Sequence, residues 1–261
     1  MSTLKTIYLQ HLNGANTNAT LDANGNMTVT GTVCGASSNM FRNRIINGNM
    51  VIDQRNAGAS VTATNASPYT VDRWYAYGSV TSKFTVQQNA GSVTPPAGFT
   101  YYIGATSSSA YTVGTGEFFY IAQPVEGYNV ADFDFGKSTA KTVTLSFWVR
   151  SSLTGTFGAS LYKDGTRNYP FNYTISSANT WTYITVTIPG DTTASTYNTT
   201  NGAGLYVIFG LGCGTTYGSG TAGTWNNGNN LVPSNSVSVV SLPPSMNIDL
   251  RIWLLLCLWQ A

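Results

Sequence analysis

Residues 142–175 read TVTLSFWVRSSLTGTFGASLYKDGTRNYPFNYTI, and this stretch decides the fold class. Between Thr142 and Ser152, Val143, Leu145, Phe147 and Val149 point one way, and Thr144, Ser146, Trp148 and Arg150 the other. Side chains alternate across a strand with period two, so this is a strand with one face on a core. Phe157–Tyr162 and Arg167–Ile175 are two further strand-like runs, separated by Lys163-Asp164-Gly165-Thr166. An Asp-Gly pair in that position predicts a hairpin, because a type I′ turn needs positive φ at both central residues. Pro170 has no N–H for a ladder and suits an edge or a bulge.

Working outward, Thr182–Ile188 alternates again, with Ile184, Val186 and Ile188 on the core face, and Pro189-Gly190 ends it. Leu205–Leu211 (LYVIFGL) is the most apolar internal run and reads as a central buried strand. Upstream, Tyr69–Tyr77 and Lys83–Gln88 read as a strand pair about Gly78-Ser79, and Phe118–Gln123 as a strand closed by Pro124. Helix formers are scarce and no convincing amphipathic window places apolar residues at i, i+3, i+4 and i+7 against a polar face. Short strands with turn chemistry between them predict an all-β chain, a β-sandwich or jelly roll over 41–261. Residues 1–40 hold few apolar side chains, with a turn over Leu21–Met27 between two short strands. They cannot bury a core alone and are expected to form an extended attachment or oligomerisation segment. Gly190–Gly204 and Gly212–Asn230 are long polar loops, and such loops carry function or motion.

Charge is sparse. Among 261 residues, 12 are basic and 10 acidic, a net charge of +2, and only 8% are charged. A soluble domain averages roughly 25%. No basic patch is available for nucleic acid, and little material for acid–base catalysis. One His and three Cys (Cys34, Cys213, Cys257) form no ligand cluster, so free thiols and no zinc site are expected. The N-terminus lacks the layout of a signal peptide, and no run approaches the roughly 18 apolar residues of a span. A soluble chain made in the cytoplasm, without membrane insertion, is the expectation. Gly218–Gly223 satisfies GxGxxG but no helix follows, and Gly136-Lys137-Ser138 lacks the upstream glycine of a phosphate loop. With His11 the only histidine, a Ser–His–Asp triad has no material.

Two sets of residues are candidates for a site. Trp148, Tyr162 and Tyr183 fall on the polar side of three strands expected to be neighbours. Aromatic planes on a polar sheet face can stack on sugar rings, or else pack against a second sheet or a subunit. Asp132 and Asp134, two apart, would share one face of a strand. They read as solvated acids, as a structural Ca²⁺ site or as a catalytic pair, and Glu117 and Glu126 bracket a strand nearby.

Phe41–Asn56 reads FRNRIINGNMVIDQRN and is followed by Tyr69-Thr70-Val71-Asp72-Arg73-Trp74. This resembles the tail-fibre or tail-collar-like family of bacteriophage virion proteins, in a pattern of type RIINGDM…IDQRN…DRW. Gln123–Tyr128, Leu145–Ser151 and Trp181–Tyr183 extend the resemblance, and the last two are also similar to sheet strands of carbohydrate-binding jelly rolls. Leu9–Gly14 resembles the family's N-terminal attachment segment. Asn49 stands where the family has Asp, and the chain's end does not match the family's last strand. The resemblance implies a virion structural protein, homotrimeric, with other virion proteins and host surface polysaccharide as partners. A tail fibre or receptor-binding component is the expected role; capsid decoration or head-fibre cement is the alternative, and a tail-spike depolymerase is a third. In the atypical tail, Ile252, Leu254, Leu256 and Leu258 would lie on one side of a strand, with Trp253, Leu255, Cys257 and Trp259 on the other. A strand apolar on both faces is an aggregation hazard if exposed. It is therefore expected inside the sandwich or at a subunit interface, unless the tail is a frame-shifted end with no structural role.

Overall fold

A computed structural model describes residues 7–10, 17–21, 27–29, 43–244 and 247–255, with side chains over 43–244 and 247–249. The chain divides into two compact units, Met1–Met40 and Phe41–Ala261. In the first, β1 (Ile7–Gln10), β2 (Thr17–Leu21) and β3 (Met27–Val29) pair antiparallel in that order. Strands thus flank the expected turn; residues 22–26, His11 and Cys34 lie outside the described residues.

Among the described residues the second unit carries twelve strands in two antiparallel sheets. They are β4 (Val61–Thr62), β5 (Tyr75–Gly78), β6 (Phe84–Gln88), β7 (Ile103–Ser107), β8 (Phe118–Glu126) and β9 (Val143–Ser151), then β10 (Gly155–Lys163), β11 (Arg167–Ile175), β12 (Thr182–Ile188), β13 (Ala203–Cys213), β14 (Asn226–Asn227) and β15 (Asn247–Leu255). One short helix, α1 (Gly127–Val130), follows β8. Sheet I has the order β14-β11-β10-β13-β8-β5 and sheet II the order β12-β9-β15-β7-β6-β4. This is a β-sandwich of the jelly-roll kind. Its core lies between the inner faces: Phe147 of β9 meets Phe209 of β13 edge-on at 5.0 Å, and Phe84 of β6 meets Phe119 of β8 at 6.4 Å. Each such buried side chain contributes roughly 1.5–3 kcal/mol.

The hairpin read from Asp164-Gly165 joins β10 to β11, with φ of 37° and 82° at the two residues and Thr166 N–H donating to Lys163 C=O at 3.0 Å. Lys163 pairs with Arg167, so the loop is one residue longer than a two-residue turn. The run LYVIFGL is the heart of β13, between β10 and β8. The expected pairing of Tyr69–Tyr77 with Lys83–Gln88 is not found. β5 pairs with β8 in sheet I, whereas β6 pairs with β7 and β4 in sheet II. The link between β5 and β6 crosses the sandwich instead of folding back as a hairpin. The atypical end enters the fold. β15 is an internal strand of sheet II, paired with β9 from Ile248 to Leu255 and with β7 from Asn247 to Leu250. Residues 256–261, Cys257 included, lie outside the described residues.

Candidate functional site

The residues between Asn43 and Trp74 act as a scaffold. Asn47, in the left-handed region at φ 53°, donates from Nδ2 to the carbonyls of Ile52 (2.8 Å) and Asp72 (2.9 Å) and accepts the Ile52 N–H at 3.0 Å. Asp53 accepts the N–H groups of Asn56 and Gly58, and Asp72 that of Gln54. Asn56 donates to the Thr70 carbonyl at 2.5 Å, and Trp74 is fully buried. The buried Gln123 carboxamide imitates a strand neighbour, accepting from Ile46 N–H at 2.9 Å and donating to Ile46 C=O at 2.7 Å. The Gln123–Ile46 bonds tie this stretch to β8, so it positions the neighbouring surface.

That surface is the outer face of sheet I. On β8, Phe119, Ile121 and Val125 enter the core, which turns Phe118 and Tyr120 outward. The same alternation turns out Tyr75 and Tyr77 on β5, Tyr162 on β10 and Tyr206 on β13; Tyr217, from the loop after β13, meets Phe118 at 4.4 Å. All seven rings are partly exposed. Tyr77, Phe118 and Tyr120 are parallel to within 13°, with centroids 5.1 to 6.0 Å apart. Tyr75 meets Tyr120 at 6.0 Å, and Tyr162 meets Tyr206 at 6.0 Å. Ser160, Ile208 and Ala122 form the floor between them. One end is closed by the chain at Leu231 and Val232, which needs glycine beneath it: a Cβ at Gly210 would stand 2.2 Å from Val232 Cγ1. At the β5 edge, Tyr69 touches Tyr75 at 6.2 Å and leads into a shallow cavity with Ile46, Ile52, Arg55, Asp72 and Arg73.

Among the described residues no side chain of the central face carries a full charge. Desolvation pushes the Tyr120 and Tyr162 hydroxyls up to about 12 and raises those of Tyr75 and Tyr206. They stay protonated, and each can donate as well as accept a hydrogen bond. Tyr162 already donates to Asn229 Oδ1 at 2.8 Å. Desolvation among the rings likewise pushes the free Cys213 thiol up to about 12, which keeps it protonated and unreactive. A flat, uncharged face of aromatic planes and phenolic hydroxyls can stack on the C–H faces of a ligand and bond its hydroxyls.

The three aromatic residues expected to share a platform do not. Trp148 and Tyr183 are register partners on β9 and β12 of sheet II, with rings 5.3 Å apart, whereas Tyr162 stands on sheet I. All three point outward, as alternation required. The error lies at residues 152–154, where the chain crosses between sheets; alternation does not say which sheet receives the next strand. The six other rings of the face, Tyr75, Tyr77, Phe118, Tyr120, Tyr206 and Tyr217, were missed. The usable signal was aromatic residues at the outward positions of YAYG and FFY.

Asp132 and Asp134 lie in a tight helical turn, not on a strand, and take separate cations. Asp132 pairs with the buried Arg44, which also donates to Asn129 C=O at 2.9 Å, and Asp134 pairs with Lys137 at 2.7 Å. Among the described residues no three His, Cys, Asp or Glu side chains converge as a metal site would require. Glu117 accepts from Tyr111 (2.8 Å) and Gly114 N–H, and Glu126 pairs with Arg73 at 2.9 Å. Among the described residues no helix is long and apolar enough to cross a membrane.

No protein-family model matches the sequence, and no curated protein matches it. Among solved structures the chain is similar to the enzymatically active domain of tailspike protein 4 of bacteriophage CBA120, at 12% identity and TM-score 0.36, over 82% of this chain and 21% of that one. It is also similar to the family 11 carbohydrate-binding module of the cellulosomal cellulase Lic26A-Cel5E of Clostridium thermocellum, at 11% identity and TM-score 0.36, over 78% of this chain and 98% of that one. A CBM4 module matches at 12% identity and TM-score 0.38, over 70% of this chain and 94% of the module. The chain thus spans about a fifth of the tailspike chain and nearly all of the two modules.

Proposed function

We propose that this protein is a non-catalytic, glycan-binding structural component of a bacteriophage virion, a tail fibre or receptor-binding protein that holds host surface polysaccharide on the outer face of sheet I. The observation that carries the binding part is the face itself: seven partly exposed rings on one uncharged sheet surface. Apolar aromatic area is normally buried, and left in the open it marks a contact surface. A glycan suits it because sugars offer C–H faces to rings and hydroxyls to phenols. The phage part rests on the resemblance at Phe41–Asn56 and Tyr69–Trp74. Other virion proteins and further copies of the chain, as a homotrimer, are its proposed partners.

The acidic side chains support a non-catalytic role. Of the ten acidic residues, all but Asp22 lie among the described side chains, and each of those accepts a named hydrogen bond or ion pair. None stands on the central face, where a glycosidase would need two.

Tyr77→Ala tests the reading. One stacked ring is worth about 0.5–1.5 kcal/mol beyond its area, so affinity for host polysaccharide falls roughly 2- to 10-fold with the fold unchanged. Affinity electrophoresis against polysaccharide, with circular dichroism as control, measures both. A Tyr77→Ala protein that binds as wild type while Trp148→Ala binds more weakly moves the site to sheet II. Binding to no host glycan removes the reading. Labelling of intact particles separates a tail position from the alternative of a capsid ornament.

A further inference from the structure

The sandwich has four lateral edges. Three are short: β14 and β4 have two residues each and β5 has four. Very short edges are a standard protection against pairing with another chain. The fourth, β12, has seven residues, TYITVTI. Six of them are β-branched and one is aromatic, the side chains that best fit a pleated surface. It carries no charge, no proline and no bulge, and its register with β9 is unbroken from Thr182–Val149 to Ile188–Val143. Among the described residues, no backbone group pairs with its outer side. Tyr183, Thr185 and Thr187 are exposed on the outer face, while Ile184 and Val186 are only half-buried against the core.

We infer that this edge is a docking surface for a second copy of the chain, joined β12 to β12 antiparallel about a two-fold axis at Thr185. The sequence is complementary to itself in that register. Tyr183 falls opposite Thr187, Ile184 opposite Val186, and Thr185 opposite its own copy. Aromatic–β-branched pairs and Thr–Thr pairs are stabilising cross-strand neighbours, and no like charges meet. The register pairs all seven residues and preserves the faces. Outward residues meet outward ones, and Ile184 and Val186 of both copies close over the open flank of the core. Side chains of opposite parity would reverse the faces, so odd slips are excluded. The contact is isologous: the same patch serves both partners. It is separate from the sugar face on sheet I, and a two-fold cannot close within a three-fold ring, so in a trimeric protein it joins two assemblies.

Thr185→Cys and Thr185→Lys test it on the full chain. Under mild oxidation Thr185→Cys forms a chain dimer on a non-reducing gel, whereas wild type, with its native cysteines, does not. Thr185→Lys sets two ammonium groups on the axis and weakens the association step at least tenfold by sedimentation, with an unchanged melting curve and circular dichroism spectrum. If Thr185→Cys gives no covalent dimer and Thr185→Lys sediments as wild type, the inference is overturned. A mixed disulfide with a different virion protein, in place of the self-dimer, overturns it as well.

Discussion

Asp249 is fully buried on β15 and receives Arg150 Nη1 at 2.9 Å, while its Oδ1 has no partner. The site admits no side chain on the neighbouring strand, since a Cβ at Gly104 would stand 2.6 Å from that oxygen. Burial pushes the carboxyl up to about 7, against the lowering effect of Arg150. The folded pKa therefore exceeds the ordinary 3.8. Below that value both states hold the proton and the group contributes nothing to the slope. Between it and about 7 the unfolded chain releases the proton and the folded one keeps it, so stability falls as pH rises, and levels off above. Asp249→Asn removes this fall. Urea unfolding at pH 4.5 and 7.5 measures it: wild type loses more stability between the two than the variant does. Equal losses would mean that Asp249 is ionised in the fold. Asp191 is the contrary case. Burial would raise its pKa, but Arg167 and the Tyr197 hydroxyl at 2.7 Å hold it below the usual carboxylate range, so its contribution is lost only in acid.

Among the elements, what alternation could and could not reveal is plain. β9 and β12 showed their inward faces in the sequence, because burial of one face fixes period two, whereas β8, read as closed by Pro124, runs on through it to Glu126. Asp164-Gly165 announced the β10–β11 hairpin, because few residues accept positive φ. Sheet membership was hidden wherever the chain crossed the sandwich, between β5 and β6 and at 152–154, and the aromatic face was hidden with it. Tyr75, Tyr120, Tyr162 and Tyr206 come from four strands made neighbours only by non-local pairing. The short turn at Asp132 depended on Arg44, some ninety residues away, which no local pattern marks. β15 is the element whose worth is easiest to measure. Deleting 252–261 removes its pairing with β9 at Thr144–Phe147 and leaves that stretch as a new open edge beside β12. The truncated protein is expected to melt lower by several degrees, since about 1 kcal/mol shifts a domain of this size by roughly 2–4 °C, and to aggregate. Scanning calorimetry and light scattering read both. A soluble variant with unchanged melting would make the segment dispensable and favour a frame-shifted end.

For the whole molecule, the two units are unequal in what they can bury. Residues 41–261 enclose a core of stacked and edge-on rings between two six-stranded sheets, enough buried apolar surface for independent folding to be the expectation. In residues 1–40 the described residues form three short strands with three to five residues each. The sequence of this segment holds few apolar side chains, and a small sheet without a hydrophobic face does not offset the entropy of ordering it. Neighbouring copies are the proposed source of the missing contacts, and soluble homo-oligomers favour closed symmetry. The full chain is therefore expected to sediment as a trimer at micromolar concentration. Its 41–261 fragment should keep the melting temperature and tyrosine fluorescence of the sandwich, but lose the trimer. The proposed glycan binding would then separate affinity from avidity: each fragment would keep the intrinsic affinity of one face, whereas three faces held together would gain by effective concentration, by roughly a hundredfold on a dense polysaccharide surface. A full chain that sediments as a compact monomer, or a fragment that adsorbs to cells as strongly as the full chain, would remove the oligomerising role from residues 1–40 and leave each sandwich to act alone.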